Sequence, residues 1–282
     1  MIVDVHTHAW TDKHITDRVR EAVLSARGEW LSEFKRNLEN LTWEKHYKAM
    51  GKVDKAIVFC WPNVIDVPND ELAGYVNAHV DKVIGFASVN PFNEQAAAEI
   101  RRCVEELGLK GIKLYPITQR FYPDDSVVYS IAEVAQELQI PILWHLSPVF
   151  LSDAPLKYSA PKRVDELAIA FPELKMIIAH LGFPWEIEVL AVIRKQPNVY
   201  ADISGICMQH WRFYNVMVSA VDYGVTDKLL FGSDWPLITF EATVEALRKL
   251  NIYTQNTNLP EVPDQVIKAI LEENASKTLN LK

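Results

Sequence analysis

His6-Thr7-His8 closes the opening run Met1-Ile2-Val3-Asp4-Val5. In an extended strand, side chains alternate faces, so residues two apart point the same way. Two imidazoles at that spacing, at the tip of an apolar strand, make half of a metal site. Alone, the pair reads equally well as two polar residues where a strand meets a loop. Later segments favour the metal, because further apolar runs end in His145, in His180 and in Asp234. His6, His8, His145 and His180 each follow a greasy run, whereas His14, His46 and His79 read as scattered surface residues. Imidazoles and a carboxylate converging on one place match the nitrogen and oxygen ligand set of a catalytic zinc or a similar divalent ion. A cage that leaves a position for water lets the ion lower that water's pKa towards neutrality and make a nucleophile. Lys113 lies near the end of one more run, in Gly111-Ile112-Lys113-Leu114-Tyr115-Pro116.

Eight strand-like runs would position these residues: 2–5, 55–60, 83–89, 111–115, 140–145, 175–180, 199–203 and 229–232. From the second onward they recur at roughly 30 residues, the length of one strand-plus-helix unit. Most are continuously apolar, as expected of parallel strands covered by helices. Helical patterns lie between them at 95–107, 127–138, 161–170, 185–195, 213–223 and 241–250, and 264–274 reads as a closing helix. Eight alternations predict a (β/α)8 barrel of the α/β class, one domain over 1–282, ahead of an open doubly wound sheet. No Gly-x-Gly-x-x-Gly follows a strand, which argues against dinucleotide binding. In such a barrel, active groups gather at the carboxyl ends of the strands, where His6, His8, Lys113, His145, His180 and Asp234 all fall.

The segment 9–54 is longer than the other connections and carries Trp10, Trp30, Phe34, Trp43 and Tyr47. It reads as helices inserted over the barrel mouth, a lid or subunit contact, or as an enlarged first helical region. The stretch 253–263 reads as a surface loop.

The chain has 282 residues, 49% hydrophobic and 23% charged, with a formal net charge of -8. This is ordinary globular composition, and its acidity argues against a nucleic-acid partner. No stretch reaches the ~18 to 20 apolar residues of a membrane span. Met1 leads straight into a strand without a secretory pattern. Cys60, Cys103 and Cys207 are few and widely spaced, which suits reduced thiols. Together these features lead us to expect a cytoplasmic protein.

The set Val5-His6-Thr7-His8, Gly111-Ile112-Lys113-Leu114, Ala179-His180-Leu181-Gly182 and Phe231-Gly232-Ser233-Asp234-Trp235-Pro236, with Asn274-Ala275 and Leu279 at the end, resembles the amidohydrolase superfamily. The likeness is to its amidohydrolase-related branch, which holds aminocarboxymuconate-semialdehyde decarboxylase and γ-resorcylate decarboxylase beside hydrolases and lactonases. The resemblance implies that His6, His8, His145 and Asp234 hold one divalent ion, zinc or alternatively manganese. Asp234 would also take a proton, and His180 would polarise the substrate or shuttle a proton. If two ions were present, His180 would join the second.

Lys113 keeps three readings: a cationic partner for a substrate carboxylate or oxyanion, a carbamylated bridge between two metals, or a salt-bridged lysine in the mouth. Trp10, Trp61, Tyr115, Trp144, Trp185 and Trp235 divide between pocket lining and core. Arg120, His210 and Arg212 are candidate carboxylate clamps, Asp202 and Ser204 candidate supports for His180 or Asp234, and Cys60 a buried hydrophobe. Gly182, Gly205 and Gly232 are expected to allow tight strand-to-loop turns. The function expected is hydrolysis of a small carboxylated amide, ester or lactone, with Asp234, His180 and Lys113 as catalytic groups. The alternative is non-oxidative decarboxylation of a small aromatic or unsaturated acid, and a non-catalytic binding barrel is the third reading. The resemblance also implies a homodimer or larger homo-oligomer.

Overall fold

The computed structural model describes residues 1–281, with the side chains of Trp30 and Glu39 outside the described part. Among the described residues, nine short strands follow one another as β1 (Val3–His8), β2 (Lys55–Phe59), β3 (Val83–Gly85), β4 (Ala87–Ser88) and β5 (Ile112–Leu114), then β6 (Ile142–Trp144), β7 (Met176–Ile178), β8 (Val199–Asp202) and β9 (Leu229–Leu230). The expected run 83–89 is split at Phe86 into β3 and β4, but Phe86 still donates its N–H to Val58 O at 3.0 Å. All neighbouring strands pair in parallel, in the order β1-β2-β3 and β4-β5-β6-β7-β8-β9. Val5 N donates to Phe231 O at 3.0 Å, and His8 N donates to Trp235 O at 2.7 Å, so the first strand also meets the chain just past β9. The architecture is a (β/α)8 barrel with eight staves, β3 and β4 together forming the third.

The apolar runs are explained by burial on both faces. Odd-numbered Leu143 and Ile177 pack inward with Val3, Val5, Ile57, Phe59, Phe86 and Leu230. Their even-numbered neighbours Ile142, Trp144, Met176 and Ile178 pack outward against the helices. The helices fall close to the expected patterns, among them Ala96–Glu105, Ser126–Glu137, Glu186–Lys195 and Phe240–Arg248. Asp264–Glu272 and Asn274–Thr278 end the chain, and Ala275 and Leu279 plug the barrel floor.

Simple alternation fails in β1. Asp4 pairs with Ala56 and Thr7 with Val58, so Val5 and His6 together oppose Ile57. This bulge shifts the face of everything after it. Val3 and Val5 face the barrel interior, and so do His6 and His8, whose rings each lie 4.9 Å from Phe59. Asp4, which alternation would place beside His6, leaves the interior row.

The insertion after β1 folds into the helices Asp17–Ser25, Ser32–Asn37 and Trp43–Ala49, joined by short 3-10 turns. In the first, Val19, Ala22 and Val23 form one face, and that face closes over the barrel mouth. Among the described residues, no helix is long and apolar enough to cross a membrane.

Candidate metal centre

The chemistry-bearing side chains sit at the carboxyl ends of four staves. His6 and His8 end β1, His145 follows β6, His180 follows β7, and Asp234 lies four residues past β9. His180, Leu181 and Asp234 have φ of 57°, 50° and 70°. Left-handed backbone at non-glycine residues costs of order 1–3 kcal/mol each and is held only where the surroundings enforce it. Here His180 N donates to Asp202 Oδ1 at 3.0 Å, and Asp234 N donates to His6 O at 2.8 Å. Gly232 provides close approach rather than the expected turn, since a Cβ there would lie 2.9 Å from the His6 Cβ. Gly205 serves both ends: its φ is 68°, and a Cβ would lie 3.0 Å from His180 Nδ1.

Hydrogen-bond partners assign the ring protons. His6 Nδ1 is 2.8 Å from Asp202 Oδ2. A carboxylate only accepts, so Nδ1 carries the proton and Nε2 a lone pair. That Nε2 is buried without a hydrogen-bond partner, and lies 3.4 Å from Asp234 Oδ1. His8 Nε2 accepts the Trp61 indole N–H at 2.6 Å, so it is also unprotonated, and it lies 3.2 Å from the same Asp234 oxygen. The Ser204 hydroxyl donates to Asp202 Oδ1 and accepts from His180 Nδ1 at 2.8 Å. His180 Nε2 is then bare, and it faces His145 Nδ1 at 3.2 Å. His145 Nε2 donates to Ser147 O at 3.1 Å, which leaves Nδ1 bare in a neutral ring.

Four imidazole lone pairs and a carboxylate oxygen therefore crowd one buried space, and the Trp61 N–H answers one of them. Burial holds the rings neutral: it pushes His180 down to about 4, and takes His6, His8 and His145 well below the ordinary histidine range. Burial also raises Asp234 well above the carboxylate range, with the nearby Asp202 charge adding to the effect. A proton on Asp234 satisfies at most one of these lone pairs. A divalent cation would satisfy several, and an all-nitrogen-and-oxygen donor set suits zinc or manganese. His6, His180 and Asp234 bring their ligand atoms within 4.8 Å of one another. His180 thus stands inside the cluster, with His8 and His145 adjoining it. Trp61 must release His8 Nε2 before that nitrogen can bind an ion.

Asp202 and Ser204 are supports, as the sequence suggests, but they serve His6 and His180 rather than Asp234. Lys113 is fully buried with no hydrogen-bond partner on Nζ. Nζ lies 4.6 Å from the Phe59 ring centre and 5.5 Å from that of Tyr115. Burial lowers its pKa to about 7, against the opposing pull of Asp202 and Asp234. No salt bridge holds it among the described residues.

A cavity of about 200 Å³ opens above the cage, reached by His145, His180 and Asp234. Trp61 and Tyr115 line it, and Tyr115 stacks on His145 at 3.9 Å. Trp10, Trp144 and Trp235 are core, and Trp185 is half-buried away from the cavity. The expected carboxylate clamps are elsewhere. Arg212 pairs with Glu186 at 3.2 Å, Arg120 reaches Asp153 O at 3.5 Å, and His210 lines a separate surface groove with Leu250 and Tyr253. Cys60 is buried, its thiol pushed up to about 11 by burial.

Sequence reasoning misplaced His46. It is fully buried, not scattered on the surface: Nε2 lies 2.9 Å from Thr7 Oγ1 and Nδ1 2.6 Å from the Tyr75 hydroxyl. Thr7 donates onward to Ile57 O at 2.6 Å, so one directed chain runs from Tyr75 through His46 and Thr7 into β2. The signal was present, since Trp43, His46, Tyr47 and Met50 share one helical face. Asp4 was also missed. Its Oδ1 accepts from Ser233 N at 2.9 Å and His6 N at 3.2 Å, and burial raises its pKa to about 7.

A family model described as amidohydrolase matches residues 3–281. An uncharacterised TIM-barrel protein from Bordetella bronchiseptica superposes with a TM-score of 0.73 at 20% identity, covering 99% of this chain and 98% of that one. A dihydroxybenzoic acid decarboxylase from Polaromonas sp., solved with bound manganese, gives 0.68 at 19% identity, covering 99% and 97%. A probable 2-pyrone-4,6-dicarboxylic acid hydrolase from Acinetobacter baumannii gives 0.66 at 17% identity, covering 99% of each chain. These structural likenesses show the shared barrel. With the family model spanning nearly the whole sequence, the chain belongs to the amidohydrolase family of enzymes.

Proposed function

We propose that the protein is a metal-dependent hydrolase of a small carboxylated ester, lactone or amide, with His6, His8, His145 and Asp234 as metal ligands and His180 available to the same cage. The observation that carries this reading is Lys113, a buried amine with no partner beside a cage of bare imidazole nitrogens. An unpaired amine in a dry site is suited to meet a substrate carboxylate or an oxyanion that develops during reaction. A bound zinc or manganese ion would polarise the carbonyl and acidify water.

The chain's own residues supply the rest. Asp234 takes the proton from water as its oxygen adds to the carbonyl carbon. It then returns that proton to the leaving oxygen or nitrogen as the bond breaks. His180, oriented by Ser204 and Asp202, and Lys113 steady the charge on the carbonyl oxygen.

A second reading, decarboxylation, is favoured by the apolar cavity wall, because a carboxylate that leaves as neutral CO2 gains from a dry surrounding. Asp234 would then give its proton to a ring carbon, and the electron pair of the broken C–C bond would return to the ring.

The test is elemental analysis of purified protein followed by turnover of a panel of small lactones, esters, amides and hydroxybenzoates. About one divalent ion per chain with acid release and no CO2 is expected. CO2 release without consumption of water would replace hydrolysis by decarboxylation. Failure to hold zinc or manganese after addition would end both readings.

A further inference from the structure

The wall of the cavity says what kind of molecule it admits. Val19, Ala22 and Val23 of the inserted helix line it together with Phe150, Leu151 and Ile206. No arginine or lysine lines it among the described residues. Arg18, which precedes the lining residue Val19, pairs with Asp153 at 2.8 Å, and Arg212, which sits over the lining Phe183 ring, pairs with Glu186 at 3.2 Å. Lys113 lies on the cage side, against Phe59. A negative charge at the far end would lose its hydration against hydrocarbon and meet no counter-charge, a penalty that buried ions do not recover without a partner.

One polar group on the wall is unanswered. Ser147 lines the cavity, and its Oγ is buried without a hydrogen-bond partner. Buried hydroxyls are normally paired, so an orphan hydroxyl on a residue that lines the cavity is available to hydrogen-bond a ligand. The volume, about 200 Å³, is small. An apolar cavity of roughly 150 Å³ in another protein holds one benzene ring.

We propose that the cavity takes compact one-ring substrates with a single anionic group, directed at the cage, and an uncharged body. A neutral hydroxyl or carbonyl of that body hydrogen-bonds Ser147, and the far edge lies against Val19 and Val23. Ring compounds with a second carboxylate at the far edge are excluded. This specificity rests on the proposed metal cage, with the unpartnered Lys113 beside it as the anion-binding end of the site.

The experiment is calorimetric titration of the manganese-loaded protein with 2-hydroxybenzoate, 2-hydroxy-5-methylbenzoate and 4-hydroxyisophthalate, the last carrying a second carboxylate where the methyl would be. Both monoacids are expected to bind at least 30-fold more tightly than the diacid. Val23→Arg, which puts a cation on the far wall, is expected to narrow that gap at least tenfold. Val23→Met, tested for folding by circular dichroism beside it, is expected to keep the gap. A diacid that binds as well as the monoacids overturns the proposal, and so does binding of none of the three probes. Manganese content is measured on the same samples. Protein that takes up no ion sinks the metal reading, while the ranking of the probes, loaded or not, still decides the cavity.

Discussion

Asp202 is the residue on which the candidate cage turns. One oxygen fixes the His6 tautomer, and the other receives the Ser204 hydroxyl and the His180 backbone N–H. Both rings are thereby turned so that their bare Nε2 atoms face inward. Partners of this kind typically contribute 10–100-fold to metal affinity. Asp202→Asn can still accept at one oxygen, but its amide nitrogen offers a donor where a ring N–H now points. Metal affinity should fall by about 10–100-fold, read by competition with a chromophoric chelator. An unchanged affinity would show that the assigned tautomers are wrong.

At the scale of elements, the inserted segment does two jobs. The helix Asp17–Ser25 walls the cavity, and the helix Trp43–Ala49 anchors the strand that carries His6 and His8. His46 joins Thr7, which lies between His6 and His8, to Tyr75 on the next helix, and its ring lies 5.3 Å from Trp235, the neighbour of Asp234. Burial pushes His46 down to about 3, so it is neutral and serves as a fixed hydrogen-bonding wedge. His46→Leu leaves two buried hydroxyls short of a partner, and each such loss costs about 1–3 kcal/mol. We expect a lower denaturation midpoint and weaker metal binding together. His46→Gln, which can bridge the same two groups, should recover part of both. Loss of stability with metal affinity intact would confine His46 to a packing role.

Across the whole molecule, the unpartnered charge of Lys113 sets a pH dependence of folding. Its folded pKa is lowered by burial to about 7, while an unfolded lysine titrates near ~10.4. Between those values the unfolded chain binds more protons, so the contribution of this group to stability rises with pH and is lowest below pH 7. Metal-free protein should therefore gain stability, on the order of a few kcal/mol from this residue, between neutral and alkaline pH. Lys113→Met should be more stable at neutral pH and lack that rise, as urea titrations at several pH values would show. Parallel slopes for the two proteins would mean that Lys113 keeps its charge in the folded state.

The barrel was legible because its cause is local and repeated. A strand buried on both faces must be apolar along its length, and the helix that covers it must carry an apolar stripe, so the alternation is written in the chain. The residues at the strand ends were legible for the same reason, since a polar side chain after an apolar run marks where a stave stops. Face and partnership were not. Alternation places Asp4 with His6 and His8, and only the bulge opposite Ile57 sends Asp4 aside while keeping both histidines inside. His46 looked like one more polar residue in a charged helix until the fold buried it under β1. Arg120 and Arg212 looked like loop clamps until the fold put Arg212 on the helix His210–Tyr223 against Glu186 and turned Arg120 to the Asp153 carbonyl. Periodicity fixes which residues can be buried; which nitrogen faces which oxygen depends on strand ends 22 residues apart for His180 and Asp202 and 196 apart for His6 and Asp202, and only the closed barrel brings those together.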